Sequence, residues 1–482
     1  MLFSSITFIF MFLPLVLFFY LITKKELHNP ILLIASIIFY AWAEPKYLAV
    51  MLLTIFTNWL GAILIDKYGS LGKDICAIPF WHNKRLRILA ATIFVNLGFL
   101  IYFKYFNFLI ENINNIFGAH IKIIDIIMPI GISFYTFQAL SYLIDVYKGE
   151  CKVQKDIYKL ALYICLFPQL VAGPIVKYKD IEEQISSRDV NFEKTSLGVK
   201  RFIIGLSKKV LIANVMGMVA DKVFVQNPHV LPHAAAWLGA VAYTFQIYFD
   251  FSGYSDMATG LGLIFGFKFM ENFNYPYISK SITEFWRRWH ISLSTWFKQY
   301  VYIPLGGNKN GKLKTVRNLG FVFLLTGIWH GASWTFIIWG IWHGFFIILE
   351  KIFNIKEFEQ KHKSFGVKAL QHLYCVLIFI FGWVIFRADT IKYAYDYIRN
   401  MLWILKIHTT EILYPISYYV DRLEITVLII ALICSIPIFN RILEVKNKAV
   451  HILVNIWLLV LFILSAASIA SDTYNPFIYF RF

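Results

Sequence analysis

The stretch FSSITFIFMFLPLVLFFYLI, residues 3–22, contains no charged side chain, and Lys24 and Lys25 follow it. About 20 mostly apolar residues in a helix match the hydrocarbon thickness of a bilayer. A secretory signal would place its positive charge before the apolar run and close on small residues. Here the order is reversed, which predicts an uncleaved first span with its N-terminus outside. The pattern then repeats. Further apolar segments lie near 30–43, 47–65, 88–108, 123–146, 198–223, 234–266, 317–333, 335–350, 369–387, 423–440 and 449–470.

Composition extends this to the whole chain. Of its 482 residues, 59% are hydrophobic and only 16% charged, against about 45–50% and about 25% in soluble domains. So few charges cannot cover a water-facing surface, and the apolar excess must face lipid. A cytosolic enzyme, a secreted disulfide scaffold, a disordered chain and a nucleic-acid binder are excluded. The formal charge of +17 then reflects Lys and Arg gathered in cytoplasmic loops. Such gatherings occur at 66–87 (Lys67, Lys73, Lys84, Arg85, Arg87), at 267–317 (nine basic residues) and at Lys351, Lys356, Lys361, Lys363 and Lys368. By contrast, residues 223–267 hold no Lys or Arg. The five cysteines (Cys76, Cys151, Cys165, Cys375, Cys434) form no CxxC pair, so neither a zinc site nor a disulfide framework is expected.

One segment interrupts the alternation of sides. Residues 157–176, ending FPQLVAGPIV, are apolar yet have basic loops on both flanks. Pro168 and Gly173-Pro174 favour a segment that dips in and returns, which is tolerated where protein covers the backbone. Twelve spans then remain, with both termini outside. Residues 388–422 are placed outside, with 390–405 as an interfacial helix. No repeat or hydrophilic domain is visible, so residues 1–482 read as one membrane-embedded unit.

Ionisable groups inside apolar segments are costly and tend to mark sites or pathways. In YTFQIYFDFSGYSDMATGLG (243–262), Gln246, Asp250, Ser252, Ser255 and Asp256 interrupt the run. The hydroxyls fit hydrogen-bonded contacts between helices; for Asp250 and Asp256 a structural and a functional role stand equal. FWRRWHISLSTWFKQYVYIPLGG (285–307) predicts an amphipathic helix, with Trp286, Trp289, Leu293, Trp296, Phe297 and Tyr300 on one face and His290 near it. It serves either as an interfacial anchor or as the floor of a cavity open to a phosphate-bearing substrate. LLTGIWHGASWTFIIWGIWHGFF (324–346) places His330 and His343 in apolar surroundings. Histidine is the commonest general base near neutral pH, though a buried histidine also serves structure. The two would be about 20 Å apart on an unbroken helix; Gly331-Ala332-Ser333 predicts a turn that puts them on adjacent helices instead. GGNKNGKL (306–313) is no phosphate-binding loop, since Leu313 stands where Ser or Thr is needed. His229 and His233 have no third ligand nearby, and no metal site is expected.

Five blocks in order, MPIGISFYTFQALSYLIDVYKG (128–149), FPQLVAGPIVKY (167–178), FDFSGYSDMATGLG (249–262), FWRRWHISLSTWFKQYVYIPLGGN (285–308) and WHGASWTFIIWGIWHG (329–344), resemble the membrane-bound O-acyltransferase family. Within it they resemble the bacterial branch of alginate O-acetylases, peptidoglycan O-acetyltransferases and teichoic-acid D-alanyl transfer proteins. The resemblance implies an all-α integral membrane protein of about twelve transmembrane helices, with a re-entrant segment and interfacial amphipathic helices around a central pore, its core motifs at 128–345. The family's essential histidine falls on His330 and its second polar position on His290, with His343 in a second WHG as the alternative. The ending NPFIYFRF matches, at Phe477, Tyr479, Phe480 and Phe482, an F-x-Y-F-x-F tail whose tyrosine is proposed to carry the acyl group outward; the tail at 475–482 is alternatively an aromatic cluster at the interface.

The resemblance thus implies an O-acyltransferase in the bacterial cytoplasmic (inner) membrane. It takes acetyl from acetyl-CoA and passes it outward to a cell-envelope polysaccharide, peptidoglycan first and alginate second. His330, His290 and Tyr479 are the expected catalytic residues, and Arg287, Arg288, Trp289, Trp329 and Asp250 the expected substrate contacts. Partners are a periplasmic O-acetyltransferase and membrane lipids, with no bound cofactor, metal or nucleic acid. The alternatives are a transporter or flippase of a lipid-linked glycan, and a scaffold for polysaccharide export.

Overall fold

The computed structural model describes residues 1–69, 82–309, 311–362, 364–407, 414–438, 447–471 and 474–478. Lys73, Cys76, Lys363, Tyr479, Phe480 and Phe482 lie outside them. Among the described residues the regular elements are all helical. Seven helices among them are long and apolar enough to cross a membrane: Lys25–Ala43, Pro45–Lys67, Lys84–Phe117, Phe192–Phe224, Trp334–Ile352, Phe365–Arg387 and Lys448–Ser471. Each coincides with a segment expected from hydropathy.

The other five expected segments take different forms. Residues 3–22 give a shorter apolar helix, Phe8–Ile22. The run at 123–146 becomes helical only at Ile132. The run at 234–266 forms the 32-residue helix His233–Ile264, whose aspartates and hydroxyls dilute its hydropathy. The last two give Lys312–His330 and the 13-residue Arg422–Cys434.

The chain divides into two compact units, residues 1–202 with 257–270, and residues 203–256 with 271–482. In the first, Phe3, Phe8, Phe12, Phe39 and Phe167 pack ring on ring, with Phe12 edge-on to Phe167 at 5.5 Å. Asn58 and Asn96 bond to each other between two apolar helices at 2.8 Å, the amide pairing that satisfies polar groups where water is absent. The segment expected to dip in and return is, in the structure, a helix broken near Pro168 and Gly173-Pro174. Ile157–Cys165 ends at Leu166, one short turn follows at Phe167–Leu170, and the chain then runs without helix to Tyr178. Residues 162–178 are all buried, and the Tyr163 hydroxyl donates to the Val176 carbonyl at 2.9 Å, so protein covers this irregular backbone.

In the second unit, Lys312–His330 and Trp334–Ile352 pack as a close pair. Glycine sets their approach: a Cβ on Gly327 would lie 2.5 Å from the Phe336 carbonyl, and one on Gly340 2.4 Å from that of Phe323. The expected turn at 331–333 is present, with Ser333 capping the second helix through the Thr335 amide. Ile391–Met401 is a helix inside the expected 390–405 segment, with Tyr397 and Asn400 buried and Tyr395 exposed.

The predicted helix over 285–307 requires a correction. It is broken into Ile282–Arg288, Ile291–Phe297 and a π-helical turn at Lys298–Tyr302. His290 takes the left-handed conformation at φ +44°. The cause lies elsewhere in the chain. The Ile291 amide donates to the Asn272 carbonyl at 2.9 Å, and the Arg288 carbonyl accepts from the Asn274 amide at 2.9 Å. Residues 272–274 thus take over hydrogen bonds that an unbroken helix would make internally. The six apolar residues of the predicted face are nonetheless all buried.

Candidate active site

His330 closes its helix, because Gly331 continues in extended backbone. Its imidazole is buried, 5% exposed, and meets aromatic rings edge-on: Trp339 at 4.8 Å, Trp329 at 5.0 Å and Phe386 at 5.2 Å. The ring lines a narrow cavity with Ile247, Phe251, Trp289, Trp339, Trp383, Phe386 and Ile478. Its free space is about that of one water molecule.

His290 lies across Phe251 from this cavity, its ring edge-on to Phe251 at 4.6 Å and 6.1 Å from Trp329. Its tautomer follows from its partners. Asn272 Oδ1 accepts from the backbone N–H of Ser292 at 3.2 Å, and a backbone amide only donates. That fixes the amide's orientation, while Asn272 Nδ2 donates to Ser255 Oγ at 3.1 Å. His290 Nδ1, 3.1 Å from the same Oδ1, must therefore carry the proton, leaving the lone pair on Nε2. Burial pushes this imidazole down to about 3, so the ring is neutral at physiological pH.

The other expected site residues divide clearly. Trp289 lines the cavity and packs on Trp383 at 4.7 Å. Trp329 is buried between the two histidine rings. Arg287 is exposed, and Arg288 donates to Glu284 Oε1 at 2.9 Å and to the Asn274 carbonyl at 3.1 Å. Neither arginine is among the cavity residues. Asp250 accepts the Ile478 amide on Oδ2 at 2.8 Å and pairs through Oδ1 with Lys209 at 2.7 Å. Asp256 pairs with Lys208, also at 2.7 Å. His343 is fully buried and is not itself among the cavity residues; it lies parallel to Phe285 at 6.1 Å and packs from behind, edge-on at 5.2 Å, on Trp339 of the cavity wall. Tyr479 lies outside the described residues, but Ile478 before it is on the cavity wall. Among the described residues no group of three or more His, Cys, Asp or Glu is placed to hold a metal.

Asn272, Lys209, Trp383 and Phe386 had not been singled out from sequence. Lys209 carried a usable signal, since it is an ionisable residue inside an apolar helix. The other three are joined to the site only by tertiary packing.

Among the described residues the chain is helical and suited to lipid, with a buried histidine beside a narrow cavity, and comparison with known proteins gives its family. The profile of the membrane-bound O-acyltransferase family matches residues 155–386, which include both candidate histidines. The chain is 40% identical to the probable alginate O-acetylase AlgI of Pseudomonas putida, over 100% of each chain. It is 45% identical to the protein of the same name from Pseudomonas syringae pv. tomato, over 82% of this chain and 74% of that one. It is 32% identical to the peptidoglycan O-acetyltransferase of Helicobacter pylori, over 91% and 87% respectively. The chain belongs to the membrane-bound O-acyltransferase family. It is a multi-pass membrane O-acyltransferase, which sets aside the transporter and scaffold alternatives.

Proposed function

We propose that the protein takes an acetyl group from cytoplasmic acetyl-CoA and exports it through the bacterial inner membrane for O-acetylation of a polysaccharide. Both termini face outward in this reading, and residues 157–176 dip into the membrane and return. Identities of 40–45% to alginate O-acetylases, against 32% to the peptidoglycan enzyme, support an alginate-like exopolysaccharide ahead of peptidoglycan. That reverses the order expected from sequence. Basic cytoplasmic loops attract the CoA phosphates, and a periplasmic O-acetyltransferase receives the product.

The observation that carries the mechanism is that His330 and Ile478, the residue preceding Tyr479 in sequence, line one cavity. In the proposed step, His330 removes the proton of the Tyr479 hydroxyl. The oxygen attacks the thioester carbonyl, a C–O ester bond forms and the C–S bond breaks. The proton passes from His330 to the departing CoA sulfur. A phenol with a pKa of ~10 needs such a base at neutral pH, and base assistance supplies about 10²–10⁴ in rate. Neutral His290, its proton fixed on Nδ1 by Asn272, packs behind Phe251 and Trp329 and steadies that wall of the site. Trp289 and Trp329 flank the acyl path.

The test is covalent labelling of the purified protein in nanodiscs with radiolabelled acetyl-CoA. Wild type is expected to hold label on its C-terminal peptide, and Tyr479→Phe to lose it. Label that survives Tyr479→Phe would remove the carrier tyrosine from the mechanism.

A further inference from the structure

The C-terminal segment is tied down by buried polar groups far more elaborately than an apolar tail needs. Lys209 belongs to a π-helical turn, Lys208–Ala213, inside the apolar helix Phe192–Phe224; such turns recur at functional sites. Its ammonium is shared three ways: with Asp250 Oδ1 at 2.7 Å, Asn214 Oδ1 at 2.8 Å and the carbonyl of Pro476. Asp250 spends its second oxygen on the Ile478 amide. Asn214 Nδ2 donates to the Tyr474 carbonyl at 3.2 Å, and the Tyr474 hydroxyl donates to Asp221 Oδ2 at 2.7 Å. Asp221 is itself held by Arg387 at 2.6 Å. The Phe477 ring packs on Tyr254 at 4.7 Å. Asp250 and Asn214 thus each have one bond to Lys209 and one to the tail backbone, and Lys209 has two to the helices and one to the tail.

Stability alone does not account for the central pair. Lys209 and Asp250 side chains are each 3% exposed, and a buried ion pair often contributes no more than apolar residues of the same volume would. What it provides is a fixed position for the backbone it grips. We propose that Asp250, with Lys209, is a positioning residue for acyl transfer: it holds residues 474–478 so that Ile478, the residue before the proposed acceptor Tyr479 in sequence, sits on the wall of the His330 cavity. This rests on the reading of the tail as acyl acceptor. It also gives Asp250 a role other than the expected contact with substrate.

Two variants of the full-length protein in nanodiscs test it. Ile478→Pro removes the amide hydrogen that Asp250 receives and leaves the ion pair intact. Lys209→Met combined with Asp250→Asn removes both charges together, which avoids an unpaired buried charge. Radiolabel incorporation on the C-terminal peptide is measured against acetyl-CoA concentration, alongside hydrogen exchange of that peptide. Both variants are expected to exchange faster there and to lose roughly tenfold to a hundredfold in labelling rate at saturating donor, with the KM for acetyl-CoA unchanged. A wild-type labelling rate in both variants, or a loss confined to donor KM, overturns the clamp alone. A wild type that takes no label on its tail overturns the carrier reading, and the clamp with it.

Discussion

His330 and His343 stand in the same tripeptide, Trp-His-Gly, 13 residues apart, and meet different surroundings. His330 is the last residue of its helix, where the backbone turns extended and the ring reaches a cavity. His343 lies in mid-helix, parallel to Phe285, and Gly382 opposite it has no side chain: a Cβ there would come within 2.7 Å of His343 Nε2. A base must reach a reacting hydroxyl, and the first histidine lines a cavity into which one could enter. Identical local sequence therefore meets a cavity in one place and a packed aromatic core in the other, and tertiary placement makes the difference.

The comparison is sharpest at His330 itself. His330→Ala should lower acetyl transfer by about 10²–10⁴, with the protein still extracted as a folded species. Next comes Asn272→Ala, which frees His290 from its fixed tautomer. A loss of roughly tenfold in kcat is expected, with His343 surroundings unaltered in tryptophan fluorescence. A smaller effect on catalysis is expected at His343. His343→Ala opens a hole in an aromatic core and should cost about 2–4 kcal/mol of stability, seen as a lowered Tm, while transfer per folded molecule stays within about threefold. Gly382→Ala presses on His343 from the other side, and overpacking there should cost about 1–3 kcal/mol with transfer again near wild type. A variant of His343 that folded normally but failed to transfer would erase the distinction.

Much of this was legible in the sequence, and the limits have physical causes. Apolar runs announced seven of the long helices because a lipid-facing helix must be apolar along its whole length. Gly331-Ala332-Ser333 announced the turn that separates the two histidines, since its signal is local. The break at His290 was invisible in the 285–307 pattern, because the hydrogen bonds that replace the helix come from Asn272 and Asn274. The cavity wall was equally hidden. Trp383 and Phe386 come from the helix Phe365–Arg387 and Ile478 from the tail, and no spacing rule joins them to His330. Asp250 was visible as an intramembrane carboxylate, but its partners, Lys209 and the Ile478 amide, were not.

The most direct test of the central claim is to compare acetyl-CoA cleavage and covalent label in His330→Ala and His343→Ala, prepared side by side in nanodiscs and normalised to folded protein. Both signals should vanish in the first variant and persist in the second. Loss in His343→Ala with activity retained in His330→Ala would contradict that claim and move the base to the second histidine.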